Sequence, residues 1–411
     1  MAKGFIPLSS KEMALYRPEP LVPEGDLPPV TAASDPDSVA GRLLEGDSVV
    51  IRDAYPTGLQ VLSHLRERVF GSGKMDKGDF RSYRKRRAVY REASNRLLVP
   101  ISDNRIALKK APAIGWLDEL YPDKSDFCLA YPQVQGLNSS WQWFLKGVRF
   151  PVLRHEIYPW YGTYFPTRFD HLHLFDEWLK AYTGSKAGAM DVGTGCGVLA
   201  FMLLERGFEH VLATDIHPNA IMTVRENARH QGVDGRVDAR VSDLFDAGFL
   251  GGYGRRSDLI VCNPPWLPGE PEETERAEQP EESKESGRPE QVGQPDQKES
   301  PEAGPGLMDR AIYYEPDFFE RLFSGAERHL EGAGRLVILF SNLGRTEGVR
   351  VRHPVEEELE SNSRFRKVRM LRRKVAPPSK KTRRRDHRKE EYVELWELEA
   401  YPGSNQSDGR R

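Results

Sequence analysis

Residues 188–207 read GAMDVGTGCGVLAFMLLERG. The short apolar run at 188–192 predicts a strand, the glycines after it predict a tight turn, and the second apolar run predicts a helix that ends at Gly207. Glycines let a backbone turn sharply and approach a ligand closely. The acidic Asp191 at the head of this turn favours a ligand with a positively charged amino-acid end over a pyrophosphate. Taken alone, the motif also suits other nucleotides or a structural turn.

Strands and helices alternate after this stretch. This alternation predicts a parallel sheet covered on both faces, which is an α/β fold. The predicted helices are 218–232 and 316–330. The further predicted strands are HVLATDI (210–216), RVDARVSDLF (236–245), DLIVCN (258–263), GRLVILFS (334–341), FRKVRML (365–371) and YVELWELEA (392–400).

Two acidic residues stand where predicted strands end, at the edge where open α/β sheets bind ligands. Asp215, which precedes Ile216, is placed to accept hydrogen bonds from ribose hydroxyls. Asp243 can receive the amino group of an adenine, while Leu244 and Phe245 pack against the ring. Together with the glycine turn, these residues predict a site for a nucleotide-like cofactor.

The fourth strand ends in Asn263, Pro264, Pro265 and Trp266. The Asn263 side chain offers one carbonyl, and Pro264 offers a backbone carbonyl whose geometry two proline rings restrict. Two convergent acceptors would hold the NH2 of a conjugated amine or amide and draw its lone pair out of resonance. Trp266 would stack on the planar group that carries this NH2.

The run from Asp191 to Trp266 resembles the S-adenosylmethionine-dependent N-methyltransferases with a "methyltransferase small" core. Its pattern is similar to the release-factor glutamine methyltransferases and their relatives that act on adenine N6 or guanine N2. The resemblance implies a Rossmann-like, seven-stranded methyltransferase sheet, S-adenosylmethionine as cofactor, and Asn263 to Trp266 as the catalytic motif that holds the substrate amine. The implied cofactor-binding residues are Asp191, Gly193, Thr194, Gly195, Gly197, Asp215, Ile216, Asp243, Leu244 and Asn263.

The sequence departs from this family in three places. The acceptor motif ends in Trp266, where the family more often has Tyr or Phe. Residues 164–168 (YFPTR) resemble only loosely the segment that closes over the cofactor, with Arg168 as a candidate cofactor neighbour. Residues 1–145 lack the pattern of the helical domain that recognises release factors. An N-terminal helical bundle would favour a glutamine substrate.

The predicted organisation has five parts. These are an extended, largely unpacked Pro-rich lead (1–36), an accessory domain for substrate recognition (37–145), an aromatic-rich connector (146–183), the methyltransferase domain (184–402) and a tail (403–411). A disordered acidic insertion (268–306) interrupts the methyltransferase domain, because its Glu-, Pro- and Ser-rich composition cannot bury enough apolar area to offset chain entropy. It is either a tolerated surface insertion or a mimic of nucleic-acid charge.

The charge of the chain is distributed unevenly. The formal net charge is −2, yet residues 270–302 hold twelve acidic and four basic residues, and 364–389 hold fourteen basic residues and one acid. Such a basic cluster favours nucleic acid, because each phosphate that it neutralises strengthens binding; a solubilising loop is the alternative. The candidate nucleic-acid contacts are Lys380, Lys381, Arg383, Arg384 and Arg385 in this segment, with Arg86 and Arg87 in a second basic patch.

Other classes of protein fit the sequence poorly. With 411 residues, 38% apolar and 30% charged, the chain has no apolar run near the roughly 20 residues that cross a bilayer. We expect no membrane association, no secretory signal and a cytoplasmic location. The isolated cysteines Cys196 and Cys262 are interpreted as packing residues. His171 and His173 lie two apart and do not share a helix face, so no metal is expected.

These observations leave three functions open. The first is methyl transfer to an exocyclic amine of a base in RNA or DNA, free or within a ribonucleoprotein. The second is N5-methylation of a glutamine in a translation-linked protein, since both substrates present a planar NH2. The third is a nucleic-acid-binding module that keeps the fold without the chemistry.

Overall fold

The computed structural model describes residues 15–71, 80–246, 256–269, 311, 313–346, 352–362, 364–375 and 390–401. Side chains are described for these residues except 80–84 and 345–346. The chain forms two compact units: Met1–Val148 with Glu156–Gly162, and Arg149–His155 with Thr163–Arg411. The domain boundaries predicted from the sequence remain predictions.

The first unit is built around a five-stranded mixed sheet. Its strands are β1 (Pro29–Val30), β2 (Val49–Ile51), β3 (Leu97–Ser102), β4 (Arg105–Ile106) and β5 (Phe127–Ala130). Its helices are α1 (Pro36–Glu45), α2 (Tyr55–Phe70), α3 (Phe80–Asn95), α4 (Trp116–Leu120) and α5 (Tyr131–Lys146). β1, β2 and β3 run parallel, and both β4 and β5 pair with β3 in antiparallel orientation.

Local sequence explains where α1 begins and ends. The side chain of Asp35 accepts a hydrogen bond of 3.0 Å from the backbone N–H of Ser38, which satisfies a donor that the first helical turn leaves unpaired. Pro36 occupies the first turn, where its missing N–H is harmless. Gly46 ends the helix in the left-handed conformation with φ 107°.

The described part of the predicted lead is packed against the first unit. Leu21 and Cys128 exchange two backbone hydrogen bonds of 2.9 and 2.7 Å, and the Tyr121 hydroxyl donates to the carbonyl of Pro18 over 2.7 Å. β1 adds to the sheet beside β2. The prediction of an unpacked lead is therefore wrong for these residues, because its contacts are with partners far away in the sequence.

Aromatic side chains fill the core of this unit. Trp116 is fully buried, and its ring lies 5.1 Å from Trp141, 4.7 Å from Phe144 and 5.2 Å from Trp160 between centroids. Trp116 and Trp160 are buried core residues, and the partly buried Trp141 packs against Trp116.

The second unit contains a seven-stranded sheet in the order β13-β14-β12-β9-β6-β7-β8. The strands of the unit are β6 (Gly188–Val192), β7 (His210–Asp215), β8 (Val237–Val241), β9 (Ser257–Cys262), β10 (Leu267–Pro268), β11 (Tyr313–Tyr314), β12 (Leu330–Ser341), β13 (Phe365–Lys374) and β14 (Tyr392–Ala400). The helices are α6 (Asp170–Lys180), α7 (Val198–Glu205), α8 (Pro218–His230), α9 (Phe318–His329), α10 (Leu343–Thr346) and α11 (Pro354–Ser361).

The strand order of this sheet confirms the predicted α/β class. β12, β9, β6, β7 and β8 are parallel neighbours, and β14 runs antiparallel between β12 and β13. β7 and β8, which follow β6 in the sequence, lie on one side of β6 in the sheet. The next strand, β9, lies on the other side of β6. Ligands of open α/β sheets bind beside such a reversal, at the carboxyl ends of the strands.

Two strands differ in length from their predictions by four residues or more. β8 ends at Val241, because the chain turns after it and Leu244 adopts the left-handed φ of 51°. β12 starts at Leu330, with an irregularity in its pairing to β9 before Arg335. In the part of the chain that the structure describes, no helix is both long and apolar enough to cross a membrane.

Candidate active site

The polar residues predicted at strand ends meet at one edge of the seven-stranded sheet. β6, β7, β8 and β9 are parallel neighbours in register, so their carboxyl ends lie side by side. This edge carries Asp191 to Gly197 after β6, Asp215 and Ile216 after β7, Asp243 and Leu244 after β8, and Asn263 to Trp266 after β9.

The turn after β6 depends on glycine at two positions. Gly195 has φ 53°, and a Cβ there would lie 3.0 Å from the carbonyl oxygen of Tyr164. Gly197 has φ 83°, and its Cβ would meet the Val224 side chain at 2.9 Å, so glycine lets α7 begin close to α8. The Thr194 N–H donates to the carbonyl of Thr214 over 2.8 Å, which ties the turn to β7.

Asp191 is fully buried beneath this turn. Its Oδ2 accepts hydrogen bonds from the Thr194 hydroxyl at 2.6 Å and the Ala200 N–H at 3.0 Å. Its Oδ1 is buried and has no hydrogen-bond partner among the described residues. Burial raises the pKa of Asp191 to about 7, although both hydrogen bonds favour the ionised form. An ammonium group would satisfy Oδ1 and favour the carboxylate.

Asp215 joins the first two turns of the site. Its Oδ2 accepts from the Gly195 N–H and its Oδ1 from the His217 N–H, each over 2.8 Å. Burial raises the pKa of Asp215 above its ordinary value, while these backbone donors act to lower it. The fixed, half-buried carboxylate is suited to accept hydrogen bonds from a pair of hydroxyls.

The turn after β8 places a carboxylate beside two apolar side chains. Leu244 and Phe245 are buried, and the Ser242 hydroxyl donates to the Leu244 carbonyl over 3.2 Å. Asp243 remains half-exposed, and its Oδ2 forms a 2.6 Å ion pair with Arg321 of α9. No local pattern indicates Arg321 at this place, since the residue lies far along the chain.

The motif after β9 contains a second unsatisfied oxygen. The Oδ1 of Asn263 is buried and has no hydrogen-bond partner among the described residues. Pro264 is buried beside it, and the half-buried Trp266 donates from its indole N–H to the Leu339 carbonyl over 3.4 Å. Just after the motif, β10 pairs with β11, and the Gly269 N–H donates to the Tyr314 carbonyl over 2.7 Å.

His171 is a neighbour of this motif that sequence reasoning missed. Its ring lies 5.5 Å from that of Trp266, nearly perpendicular at 89°. Its Nε2 is buried without a hydrogen-bond partner among the described residues. Burial, with a smaller effect of His173, lowers the pKa of His171 to about 4, so the imidazole is neutral near pH 7.

Comparison with known proteins identifies the domain that carries this site. Residues 173–279 match the model of the methyltransferase small domain. This part of the second unit is similar to methyltransferase small domains. The resemblance predicted from the motifs is thus confirmed at the level of the family.

Several methyltransferases are similar to part of the chain. The release factor glutamine methyltransferase of Cereibacter sphaeroides is 33% identical over 171 residues, which cover 41% of this chain and 51% of that protein. The tRNA1(Val) (adenine(37)-N6)-methyltransferase of Edwardsiella ictaluri is 35% identical over 97 residues, or 23% of this chain and 38% of that protein. The chain thus spans about half or less of the length of these relatives.

Two further similarities involve ribosomal protein L11 methyltransferases. That of Heliobacterium modesticaldum is 38% identical over 85 residues, covering 21% of this chain and 25% of that protein. Among solved structures, the ribosomal protein L11 methylase of Lactobacillus delbrueckii subsp. bulgaricus aligns with 61% of this chain and 90% of its own. Its TM-score is 0.34, and it is 18% identical to this chain.

The thiols of the second unit are buried. Cys196 and Cys262 are free and 1% exposed, and burial raises the pKa of both, that of Cys196 to about 12. A neutral, buried thiol is a weak nucleophile, and packing accounts for these residues. Among the described residues, no group of three or more His, Cys, Asp or Glu side chains could hold a metal ion.

The arginines of the predicted basic segment form ion pairs where the structure describes them. Along β13, arginines pair with glutamates of β14: Arg366 with Glu399 at 2.7 Å, Arg369 with Glu397 at 3.1 Å and Arg372 with Glu394 at 2.6 Å. We call these three pairs the Arg–Glu ladder. Arg168, the candidate cofactor neighbour, pairs with the buried Glu391 at 3.0 Å.

The predicted nucleic-acid contacts fall into two groups. Arg86 and Arg87 lie in α3 of the first unit and are exposed. Lys380, Lys381, Arg383, Arg384 and Arg385 lie outside the described residues, as do residues 270–306 of the acidic insertion.

Proposed function

We propose that this chain transfers the methyl group of S-adenosylmethionine to an exocyclic NH2 of a nucleic-acid base, adenine N6 or guanine N2. The observation that carries this proposal is the buried Oδ1 of Asn263, which has no partner among the described residues. A buried acceptor without a donor costs about 1–3 kcal/mol, so a ligand that donates an N–H would be favoured there. A planar NH2 supplies this donor, and Trp266 lies three residues away to stack on its ring.

The residues present fit the cofactor at three points. Asp191 offers a buried, unsatisfied oxygen for the ammonium of the methionine end. Asp215, held by two backbone N–H groups, fits the ribose hydroxyls, and Asp243 fits the adenine amino group beside Leu244. These acids follow β6, β7 and β8 in turn, which suits a ligand that extends along the sheet edge. When bound, the cofactor supplies an electrophilic methyl group on a sulfonium.

The acceptor residues would act by positioning. Asn263 and the Pro264 carbonyl accept the two hydrogens of the NH2, which directs the nitrogen lone pair out of the plane toward the methyl carbon. The same acceptors stabilise the positive charge that develops on nitrogen. The nitrogen then loses one proton, for which water is a sufficient base because a methylated aryl or amide ammonium is strongly acidic. No metal or strong side-chain base is needed for these steps.

Two features favour a nucleic-acid substrate. The exposed part of α3 carries Lys85, Arg86, Arg87 and Arg91, and residues 376–389 add seven basic residues against one acid. Phosphate contacts of this kind supply affinity without sequence specificity. The β13 arginines do not add to this charge, since three of them pair in the Arg–Glu ladder and Arg373 pairs with Glu177. The reduced, buried cysteines agree with a cytoplasmic setting.

Glutamine N5 of a translation-linked protein is the second candidate. The similarity of 33% over 171 residues to a release factor glutamine methyltransferase favours it. A glutamine side chain presents the same planar NH2 to Asn263. The first unit has a five-stranded sheet among its helices instead of a helical bundle, which favours the nucleic-acid base over glutamine.

The test uses S-adenosylmethionine labelled in its methyl group. Purified full-length protein is incubated with this label and with a lysate from cells that lack the protein, and the precipitate is digested with nuclease or with protease. We expect nuclease to release the label. Release by protease alone would instead support glutamine, and cofactor binding without any transfer would support the non-catalytic nucleic-acid-binding module.

A further inference from the structure

One face of α9 packs against the turn that follows β8. Arg321, Gly325 and His329 are spaced four residues apart and therefore lie on the same side of the helix. Each of them contacts the turn that contains Asp243 and Phe245. These three residues form what we call the α9 stripe.

Gly325 and His329 of the α9 stripe fix the position of Phe245. A Cβ at Gly325 would overlap the Phe245 ring, so only glycine leaves room for it. The His329 ring stacks on Phe245 with 5.1 Å between centroids and 14° between planes. His329 is itself held by a 2.7 Å hydrogen bond between its Nδ1 and the Gly325 carbonyl.

Arg321 of the α9 stripe holds the carboxylate of Asp243. A terminal nitrogen of Arg321 lies 2.6 Å from Oδ2 of Asp243, whereas its distances to Glu315 and Asp317 are 4.0 and 3.9 Å. The short contact shows that Asp243 is the principal partner. A side chain fixed at one carboxylate oxygen presents the other oxygen in a defined direction.

We propose that Arg321 is a positioning residue for the adenine ring: it holds Oδ2 of Asp243, so that Oδ1 accepts a hydrogen of the adenine 6-amino group. This inference rests on the proposed function, which places adenine at Asp243. The pair is partly exposed and contributes little to folding by itself. The pair instead determines which base is bound. An oriented carboxylate accepts a hydrogen bond from an amino group at C6 and repels a carbonyl oxygen there.

The experiment compares two ligands that differ in the substituent at C6 and in the proton on N1 that accompanies a carbonyl there. S-adenosylhomocysteine carries the 6-amino group, and S-inosylhomocysteine carries a carbonyl oxygen instead. Isothermal titration calorimetry of the full chain gives the ratio of their dissociation constants. We expect the wild type to prefer S-adenosylhomocysteine by about tenfold or more, the size of one hydrogen bond to a charged group. Arg321→Gln should lower this preference to below about threefold, and Arg321→Lys should retain part of it.

A matched control separates this role from general electrostatics. Arg328 is an exposed arginine on the same helix, and Arg328→Gln removes the same charge. We expect this variant to keep the wild-type preference. In an Asp243→Asn background, which already lacks the carboxylate charge, Arg321→Gln should reduce the preference no further.

The possible outcomes distinguish this inference from the proposed function. If the wild type binds S-adenosylhomocysteine and Arg321→Gln keeps the full preference, the role of Arg321 is refuted while the proposed function stands. An equal loss of preference in Arg328→Gln would refute it as well. If the wild type binds neither ligand, both the proposed function and the inference fail.

Discussion

At the residue scale, the site is marked by buried polar atoms without partners. Oδ1 of Asp191, Oδ1 of Asn263 and Nε2 of His171 lack hydrogen-bond partners among the described residues. A buried polar atom costs stability unless a water or a ligand satisfies it. Two of them lie at the ends of adjacent strands, β6 and β9, where the proposed cofactor and acceptor would meet. A ligand that satisfies them explains why the fold tolerates this cost.

The carboxyl of Asp191 predicts a pH-dependent affinity for S-adenosylhomocysteine. Burial raises its pKa to about 7, and the ammonium of the ligand requires the ionised form. Below pH 7 the free protein must therefore release a proton on binding. The affinity should fall about tenfold as the pH drops from 8 to 6. Calorimetry across this range measures the effect.

The control for this prediction is Asp191→Asn, which cannot ionise. We expect this variant to bind S-adenosylhomocysteine more weakly than the wild type. Its affinity should not change between pH 6 and 8. An unchanged affinity of the wild type across the range would contradict the assignment of Asp191 to the ammonium.

The substitution His171→Phe should have opposite effects on stability and on the rate of methyl transfer. His171→Phe removes a buried nitrogen without a partner and keeps a ring beside Trp266, so it should raise the free energy of unfolding by about 1 kcal/mol. His171→Ala should lower it by about 2 kcal/mol through the cavity that it leaves. Urea denaturation gives both values.

The rate of methyl transfer shows whether the imidazole of His171 does more than pack beside Trp266. His171→Phe should lower methyl transfer at unchanged affinity for S-adenosylhomocysteine, whereas His173→Phe, two residues further along α6, should leave both unchanged. Full activity in His171→Phe would show that the ring only fills space beside Trp266.

At the element scale, the local sequence pattern predicts the strands and helices. It does not predict contacts between residues that lie far apart in the sequence. β6, β7 and β9 read as strands because they are buried apolar runs, and α8 begins at Pro218 as its sequence predicts. The strand-end acids were found because parallel strands share one edge. The pairing of Arg321 with Asp243 and of Leu21 with Cys128 joins remote parts of the chain, which no local pattern reports.

The packing of α9 on the β8 turn predicts that Gly325→Ala destabilises the second unit. Alanine favours a helix by about 1 kcal/mol over glycine, but the new Cβ would overlap the Phe245 ring. The strain should outweigh the gain and lower the free energy of unfolding by about 1–3 kcal/mol. Displacement of Phe245 should also weaken binding of S-adenosylhomocysteine. Thermal unfolding and calorimetry measure these two effects.

Gly136 supplies the control for this substitution. It lies in α5, and a Cβ there would have no atom within 4 Å. Gly136→Ala should therefore stabilise the protein slightly and leave ligand binding unchanged. Stabilisation by Gly325→Ala would contradict the close contact with Phe245.

At the scale of the whole molecule, local charge matters more than the net charge of −2. The Arg–Glu ladder balances the charges of Arg366, Arg369 and Arg372 with glutamates of β14, so these arginines offer a phosphate chain little net charge. We propose that a substrate meets the basic residues in the exposed part of α3 and those of the sequence 376–389. We expect these residues, and not the arginines of the ladder, to contact phosphate.

This separation predicts how methyl transfer to nucleic acid responds to salt. Raising the KCl concentration should lower transfer steeply, because each phosphate contact adds about 0.7 to 0.9 to the slope of log affinity against log salt. The triple substitution Arg383→Gln, Arg384→Gln and Arg385→Gln should flatten this slope, as should Arg86→Gln. Initial rates at limiting substrate over a salt series provide the measurement.

Arg366→Gln is the matched control, since Arg366 already pairs with Glu399 in the ladder. We expect it to leave the slope unchanged. Rates that do not vary with salt in the wild type would contradict a nucleic-acid substrate bound through these residues.

The central claim is that Asn263 binds the acceptor NH2, and Asn263→Ala tests it most directly. The measurement pairs the dissociation constant for S-adenosylhomocysteine with the rate of label transfer at saturating S-adenosylmethionine. We predict an affinity within about threefold of the wild type and a rate at least about a hundredfold lower, the effect of removing one stabilising group from a transition state. A large loss of cofactor affinity with an unchanged rate at saturation would contradict the claim and place Asn263 in the cofactor site alone.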